Sequence, residues 1–276
     1  MNLFILDPIL RRALEEDIGT GDVTTLATIE PGTQASAELV AKEDFVLAGI
    51  DVARRVFQLL SAETAFEKLI TDGQTVKRGE VLAWIKGDAA TLLQGERVAL
   101  NLLQRMCGVA TLTAAFVREI EGTSAVVVDT RKTTPGLRVL EKYSVRMGGG
   151  GNHRMALYDA VLIKENHVAA AGGIMAAVTR AKQRVPHTMK VEVEVRDQNE
   201  VAEALAAGAD ILLLDNMTLA ELSAAVELVG NRAVTEASGG VNLETVRGIA
   251  ETGVRLISVG ALTHSSRAVD ISMLFV

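Results

Sequence analysis

Between Asp129 and Lys164 the chain reads DTRKTTPGLRVLEKYSVRMGGGGNHRMALYDAVLIK, with seven Lys or Arg residues, one His and three acids around a run of four consecutive glycines. The whole chain carries a formal net charge of -7, so the positive charge is gathered locally. Guanidinium forks donate two parallel hydrogen bonds and therefore suit planar carboxylates better than lysine does. Arg131, Lys132, His153, Arg154 and Lys164 are the cationic candidates. Glu194 and Asp215 supply acids, and SGG (238–240) with VGALTH (259–264) supply small residues whose backbone N–H groups can approach an anion closely. A matching substrate has planar carboxylates at one end, a phosphate at the other, and a cation or cationic transition state between them.

These residues fall at the ends of short apolar runs. AVVVD (125–129), DAVLIK (159–164), KVEVEV (190–195), DILLLD (210–215), AVTEAS (233–238) and LISVGA (256–261) read as strands. They alternate with amphipathic segments such as NEVAEALAAGA, TLAELSAAVELVG and NLETVRGIAETG. Strand-then-helix repetition implies parallel strands joined by right-handed crossovers. Six units are fewer than the eight of a complete barrel, so the pattern predicts an incomplete β/α barrel, with a doubly wound open sheet as the alternative. In a barrel the strand ends converge on one mouth, where active sites lie.

Residues 1–107 differ, and are expected to form an N-terminal α/β sandwich that the C-terminal strand 265–276 rejoins, leaving 108–264 as the barrel. QASAELVAKEDFVLAG and TAFEKLITDGQTVKRGEVLAWIKGDA suggest strands and hairpins around a helix near IDVARRVFQLL. DGQTVKRGEVLAWI resembles the turn of lipoyl or biotinyl carrier domains but has no lysine at a hairpin tip, so it is read as a plain hairpin. TLLQGERVALNLLQRM reads as a long helix joining the two parts.

Bland readings compete at several positions. Arg138, Lys142 and Arg146 recur at helical spacing and are expected on a solvated face. The glycine run alone would suit a flexible link. Glu192 and Glu194 share one face of an ideal strand, so spacing does not choose between them; Glu194 is nearer the strand end. His167 is expected at a helix start and His187 on the surface, and no His or Cys pair has zinc-ligand spacing. The acidic balance disfavours nucleic acid as a partner, and no apolar run reaches the roughly 20 residues that cross a bilayer. The N-terminus reads as a native helix rather than a signal peptide. Cys107 is the only cysteine, which excludes an intrachain disulfide and suits a cytoplasmic protein.

Taken together, EDIGTGDVTT, GERVALNLLQRMCGVAT, DTRKTTPGLR, EKYSVRMGGGGNHR, DAVLIKENH, VEVEV, LLLDNM, EASGGV and SVGALTH resemble the quinolinate phosphoribosyltransferase family in its order along nearly the whole chain. The resemblance implies a homodimer or higher homo-oligomer in which one subunit's N-terminal domain covers its partner's barrel mouth. It implies transfer from phosphoribosyl pyrophosphate to quinolinate with decarboxylation, using Mg2+ and no organic cofactor. Arg131, His153, Arg154 and Lys164 would hold the quinolinate carboxylates, with Arg97 reaching in from the neighbouring subunit and Lys132 serving quinolinate or the pyrophosphate. Lys132, Glu194 and Asp215 would be the catalytic group, the two acids contacting ribose hydroxyls and the magnesium environment. Ser238, Gly239, Gly240, Gly260 and His264 would surround the 5′-phosphate. Other readings are a molybdenum-transport-associated paralogue, whose IKENH and NHR elements should differ, a Schiff-base aldolase using Lys164, and a non-enzymatic phosphometabolite sensor.

Overall fold

The computed structural model describes residues 1–276. The chain opens with α1 (Leu3–Ile18) and α2 (Val23–Thr28), N-capped by the Asn2 and Asp22 side chains, which accept from the backbone N–H of Phe4 and Thr25. There follow β1 (Gln34–Ala41), β2 (Phe45–Val46), α3 (Ile50–Leu60), β3 (Ala65–Lys68), β4 (Thr75–Val76), β5 (Val81–Asp88) and α4 (Ala89–Glu119). Strands and helices then alternate through β6 (Val126–Val128), α5 (Arg138–Met147), β7 (Val161–Ile163), α6 (Glu165–Ala171), α7 (Ile174–Arg184) and β8 (Val191–Val195). They continue through α8 (Gln198–Ala206), β9 (Ile211–Asp215), α9 (Leu219–Val229), β10 (Val234–Ser238), α10 (Val246–Glu251), β11 (Leu256–Ser258) and α11 (Ala261–His264), and β12 (Ile271–Phe275) follows. Contacts group these into two compact units: Met1–Leu112, Thr134–Gly149 and Ser266–Val276 form the first, and Thr113–Thr133 with Gly150–Ser265 the second.

The first unit is built on an antiparallel sheet in the order β12-β1-β5-β3. From Ala83 to Lys86 along β5, Ala83 and Ile85 are buried while Trp84 and Lys86 are exposed, so one face carries the core there. Helix α3 buries Ile50, Val52, Ala53, Val56 and Phe57. Phe57 meets Phe66 of β3 with ring centroids 6.3 Å apart, which seats the helix on the sheet as the second layer of a sandwich. Helix α4 has the length and composition of a membrane span, but Leu92, Leu103, Met106, Cys107, Val109 and Ala110 are buried in the protein core. Its Gln104 amide donates to Ile271 O at 2.8 Å and Arg105 Nη1 to Ser266 O at 2.6 Å, tying the last strand in place.

Helix α5 corrects one expectation. Arg146 is exposed and Arg138 half-buried, but Lys142 is only 1% exposed, so the three do not share a solvated face. Its neighbour Glu141 is fully buried, and the Glu141 carboxylate accepts from Arg105 Nε and Nη2 at 3.1 and 2.8 Å, from the Thr134 hydroxyl at 2.7 Å and from Thr134 N at 3.0 Å. Burial of Glu141 is compensated by Thr134 and by Arg105, distant in sequence on α4, which helical periodicity does not reveal.

The second unit is a six-stranded parallel sheet in the order β6-β11-β10-β9-β8-β7. β6 and β7 do not pair, which leaves the barrel incomplete as the strand count predicts. Part of the gap beside β6 is taken by Gly151, bridged to Val128 in parallel. Gly151 N donates to Val127 O at 2.8 Å and Gly151 O accepts from Asp129 N at 3.2 Å. A Cβ on Gly151 would lie 3.1 Å from a Val128 methyl, so the last residue of the glycine run is small because backbone must lie against β6 there. Gly151 is thus a rung of the barrel wall and not part of a loose link.

Candidate active site

Alternation along the strands turns Glu192 and Glu194 of β8 to one face while Val191, Val193 and Val195 are buried on the other. Register puts Glu194 beside Leu213 of β9, Leu213 beside Glu236 of β10, and Asp215 beside Ser238. The inner face therefore carries acids where buried parallel strands are ordinarily apolar. A cavity of about 860 Å³ opens there, lined by Arg131, Lys132, His153, Arg154, Lys164, Glu194, Asp215, Ser238, Gly239, Gly240, Gly260 and His264. Of the residues singled out in the sequence, Arg97 alone is not in the lining; it lies on α4 with 58% of its side chain exposed.

Asp129, fully buried at the end of β6, organises the cationic half. Its carboxylate accepts from His153 N at 2.9 Å and from Asn152 Nδ2 at 2.6 Å. His153 Nδ1 accepts from Arg154 N at 2.7 Å, and Nε2 lies 3.0 Å from Glu192 Oε2. Both ring nitrogens are thus engaged within the protein. His153 lines the cavity, where the resemblance makes it a carboxylate ligand, and its ring also braces the turn carrying Arg154. Arg154 Nη1 donates to Ala160 O at 3.1 Å. Burial, with the charge of Arg131 nearby, lowers the Arg154 pKa, so an anion entering this half meets cations already short of water.

Lys164 Nζ and Glu194 form an ion pair across the mouth, with side-chain exposures of 50% and 14%. At the start of α6, His167 Nδ1 accepts from Lys164 N at 3.0 Å, which explains its place. Lys132 is held by its backbone: Thr263 Oγ1 donates to Lys132 O at 2.7 Å. A Cβ on Gly260 would fall 3.0 Å from Lys132 Cδ and 3.2 Å from His264 Nε2. Glycine at 260 therefore leaves room for both side chains.

At the opposite rim, Gly239 and Gly240 have φ of 100° and 61°. Asn216, the sole non-glycine residue with positive φ (55°), donates from Nδ2 to Asp215 Oδ2 at 2.8 Å and from its backbone N to Ser238 O at 2.9 Å. Gly239 and Gly240 line the cavity with no side chain in the way, so an anion can approach their backbone closely. Helix α11 has four residues, too few for a helix dipole to hold the anion.

Spacing left Glu192 undecided against Glu194, and did not pick out Glu236 or Asp129 as site-forming. Burial first, and the charge of Glu192 second, push the Glu236 carboxyl up to about 7. The signal available in the sequence was acidic residues inside apolar strands, VEVEV and VTEAS, where nothing but a functional or paired acid is expected.

An incomplete β/α barrel with an N-terminal sandwich, opening on a mouth of cations, acids and left-handed glycines, defines an α/β enzyme for small anionic substrates. The chain belongs to the quinolinate phosphoribosyltransferase family: residues 22–107 match the model for its N-terminal domain and residues 109–274 that for its C-terminal domain. It is 44% identical over 274 residues to a probable nicotinate-nucleotide pyrophosphorylase (carboxylating) of Bacillus subtilis, covering 99% of this chain and 94% of that protein. Among solved structures it is similar to NadC of Streptococcus pyogenes, with TM-score 0.96, 40% identity and coverage of 100% and 99% of the two chains. The nicotinate-nucleotide pyrophosphorylase of Francisella tularensis gives TM-score 0.94, 37% identity and coverage of 100% and 98%.

Proposed function

We propose that this chain transfers the phosphoribosyl group of phosphoribosyl pyrophosphate to quinolinate, with decarboxylation, giving nicotinate mononucleotide, pyrophosphate and carbon dioxide. The observation that carries the reading is that one cavity is lined by cations from the ends of β6 and β7, acids from β8 and β9, and glycines from the ends of β10 and β11. It matches a dicarboxylate, a developing ribosyl cation and a 5′-phosphate in that order.

Arg131, Arg154 and Lys164 hold the two carboxylates, with His153 and Asp129 setting the turn that presents Arg154. Lys132, beside Gly260 and His264, serves the diphosphate side. Ser238, Gly239, Gly240, Gly260 and His264 bind the 5′-phosphate. Loss of pyrophosphate leaves an oxocarbenium-like carbon on the ribose, which Glu194 and Asp215 stabilise electrostatically and orient through the ribose hydroxyls. The pyridine nitrogen attacks that carbon and becomes formally positive. The electron pair left on the ring carbon as the neighbouring carboxylate departs as carbon dioxide is stabilised by the adjacent cationic nitrogen, and that carbon then takes up a proton from solvent. Positioning and exclusion of water suffice for the loss of carbon dioxide.

Glu194 and Asp215 are oxygen donors of the kind a hard cation prefers, and they would hold Mg2+ largely through the substrate. The metal would neutralise charge on the departing diphosphate. We assign the working unit as a homodimer or larger homo-oligomer in the cytoplasm, with Arg97 reaching the partner's mouth; its exposure on α4 supports that role.

A Schiff-base aldolase is not favoured. Lys164 is half-exposed and bonded to Glu194, whereas an imine-forming lysine is desolvated or crowded by cations. Incubating the protein with quinolinate, phosphoribosyl pyrophosphate and magnesium should release carbon dioxide and form the pyridine mononucleotide, dependent on all three. No product from well-folded protein removes the reading.

A further inference from the structure

The ladder between β6 and β11 stops short of the cavity. Val259 N donates to Val128 O at 2.9 Å, and the next residue on that side, Asp129, turns its N–H away from β11, to Gly151 O at 3.2 Å. Residues 130–133, which carry Arg131 and Lys132 into the cavity, lie beyond the register of the sheet. Local bonds shape this stretch: Lys132 N donates to Thr130 Oγ1 at 3.0 Å and Thr133 N to Arg131 O at 2.9 Å. They close the turn on itself but do not set where it stands against the rim that follows β11.

Thr263 of α11 supplies that tie. It is fully buried and does not line the cavity. A threonine in a helix commonly satisfies its hydroxyl on a carbonyl one turn back, and Gly260 O is within reach at 3.2 Å. The hydroxyl has a single proton, and its shorter contact, 2.7 Å, is to Lys132 O, 131 residues away in the chain. A Cβ on Gly260 would meet Lys132 Cδ at 3.0 Å and His264 Nε2 at 3.2 Å, so the lysine stem and the imidazole flank one glycine. The bond from Thr263 holds the base of that lysine stem.

We propose that Thr263 is a positioning residue for the transfer reaction. Its buried hydroxyl sets Lys132 against the rim of Gly260 and His264, and so fixes the spacing between the groups serving the diphosphate and those serving the 5′-phosphate. The amine rides on a flexible four-carbon stem, so its reach is defined by where the backbone and Gly260 hold the stem. A displacement of about 1 Å is enough to cost about a hundredfold in rate. Which end of the substrate each group serves rests on the function proposed above; the tie between loop and helix does not.

Thr263→Val keeps nearly the same shape without the donor, and Thr263→Ser keeps the donor. Hydrogen exchange read by mass spectrometry needs no substrate. Amides of residues 130–133 should exchange about threefold or more faster in the valine variant, and close to the wild-type rate in the serine variant, with β8 and β9 unchanged in both. Unchanged exchange in the valine variant, or an equal rise in the barrel strands, overturns the proposal.

With substrates, Thr263→Val should lose about tenfold or more in kcat/KM for phosphoribosyl pyrophosphate and less for quinolinate. Thr263→Ser should recover most of that loss. A larger loss for quinolinate would put the effect at Arg131 and overturn the assignment to Lys132. In a Lys132→Ala background the valine substitution should cost less than about twofold more, because the residue through which it acts is gone. The same fold-loss in both backgrounds would make Thr263 structural only. If wild type makes no product, the proposed function fails, while the exchange measurement still decides whether Thr263 holds the loop.

Discussion

A Cβ built on Gly239 would lie 2.2 Å from Oδ1 of Asn216. The two residues lock this rim of the cavity: both have positive φ, and Asn216 is bonded to Asp215 on one side and Ser238 on the other. A side chain at 239 must therefore displace Asn216 and adopt a backbone conformation that favours glycine. Gly239→Ala should cost about 1–3 kcal/mol of stability and raise KM for phosphoribosyl pyrophosphate more than KM for quinolinate. Equal effects on both substrates, at unchanged Tm, would separate this rim from the phosphate.

Arg131 lines the cavity and lies close enough to Arg154 for its charge to be felt there. Two guanidiniums held near each other are stabilised when a dianion arrives between them. Arg131→Ala should lose about 2–4 kcal/mol of transition-state binding if the contact is desolvated and bidentate. Arg131→Lys should recover little, because a point charge lacks the fork. A rate unchanged in the alanine variant would take Arg131 out of the site.

The mouth was readable in the sequence because β/α alternation sends every strand end to one rim, so polar ends converge whatever the loops do. Gly151 was readable as special, but its reason, a backbone rung against β6, is a tertiary contact with no local signal. Depth was not readable. Glu192 and Glu194 share a strand face, and spacing does not say that one pairs with Lys164 at the mouth while the other is sealed beneath His153. Lys142 misled for the same reason: helical periodicity assigns charges to solvent, and only the fold shows one turned into the interior.

Arg97 is the residue the cavity does not contain, and it makes no contact with an acid closer than Glu96 at 3.8 Å. Under the shared-site reading its partner is the substrate held by a second copy of the chain. Arg97→Ala and Lys132→Ala proteins should each be impaired, and a mixture allowed to exchange subunits should regain activity, since some mouths then combine two intact halves. Confirmed exchange with no rescue would mean that Arg97 acts within its own chain or not at all.

Asp129 supplies the acceptors on which the Asn152-His153-Arg154 turn hangs. Asp129→Ala would leave the His153 N–H facing a cavity where the carboxylate was, at a cost of about 1–3 kcal/mol for each buried group left unpaired. Stability should fall accordingly in urea titration, and kcat/KM for quinolinate should fall further than for phosphoribosyl pyrophosphate. Asp129→Asn keeps an oxygen for the His153 N–H and should recover part of both losses. The discriminating outcome is the split between substrates: a variant that loses stability but treats both substrates alike would make Asp129 a core residue only. A split toward quinolinate places it in the support of the carboxylate clamp.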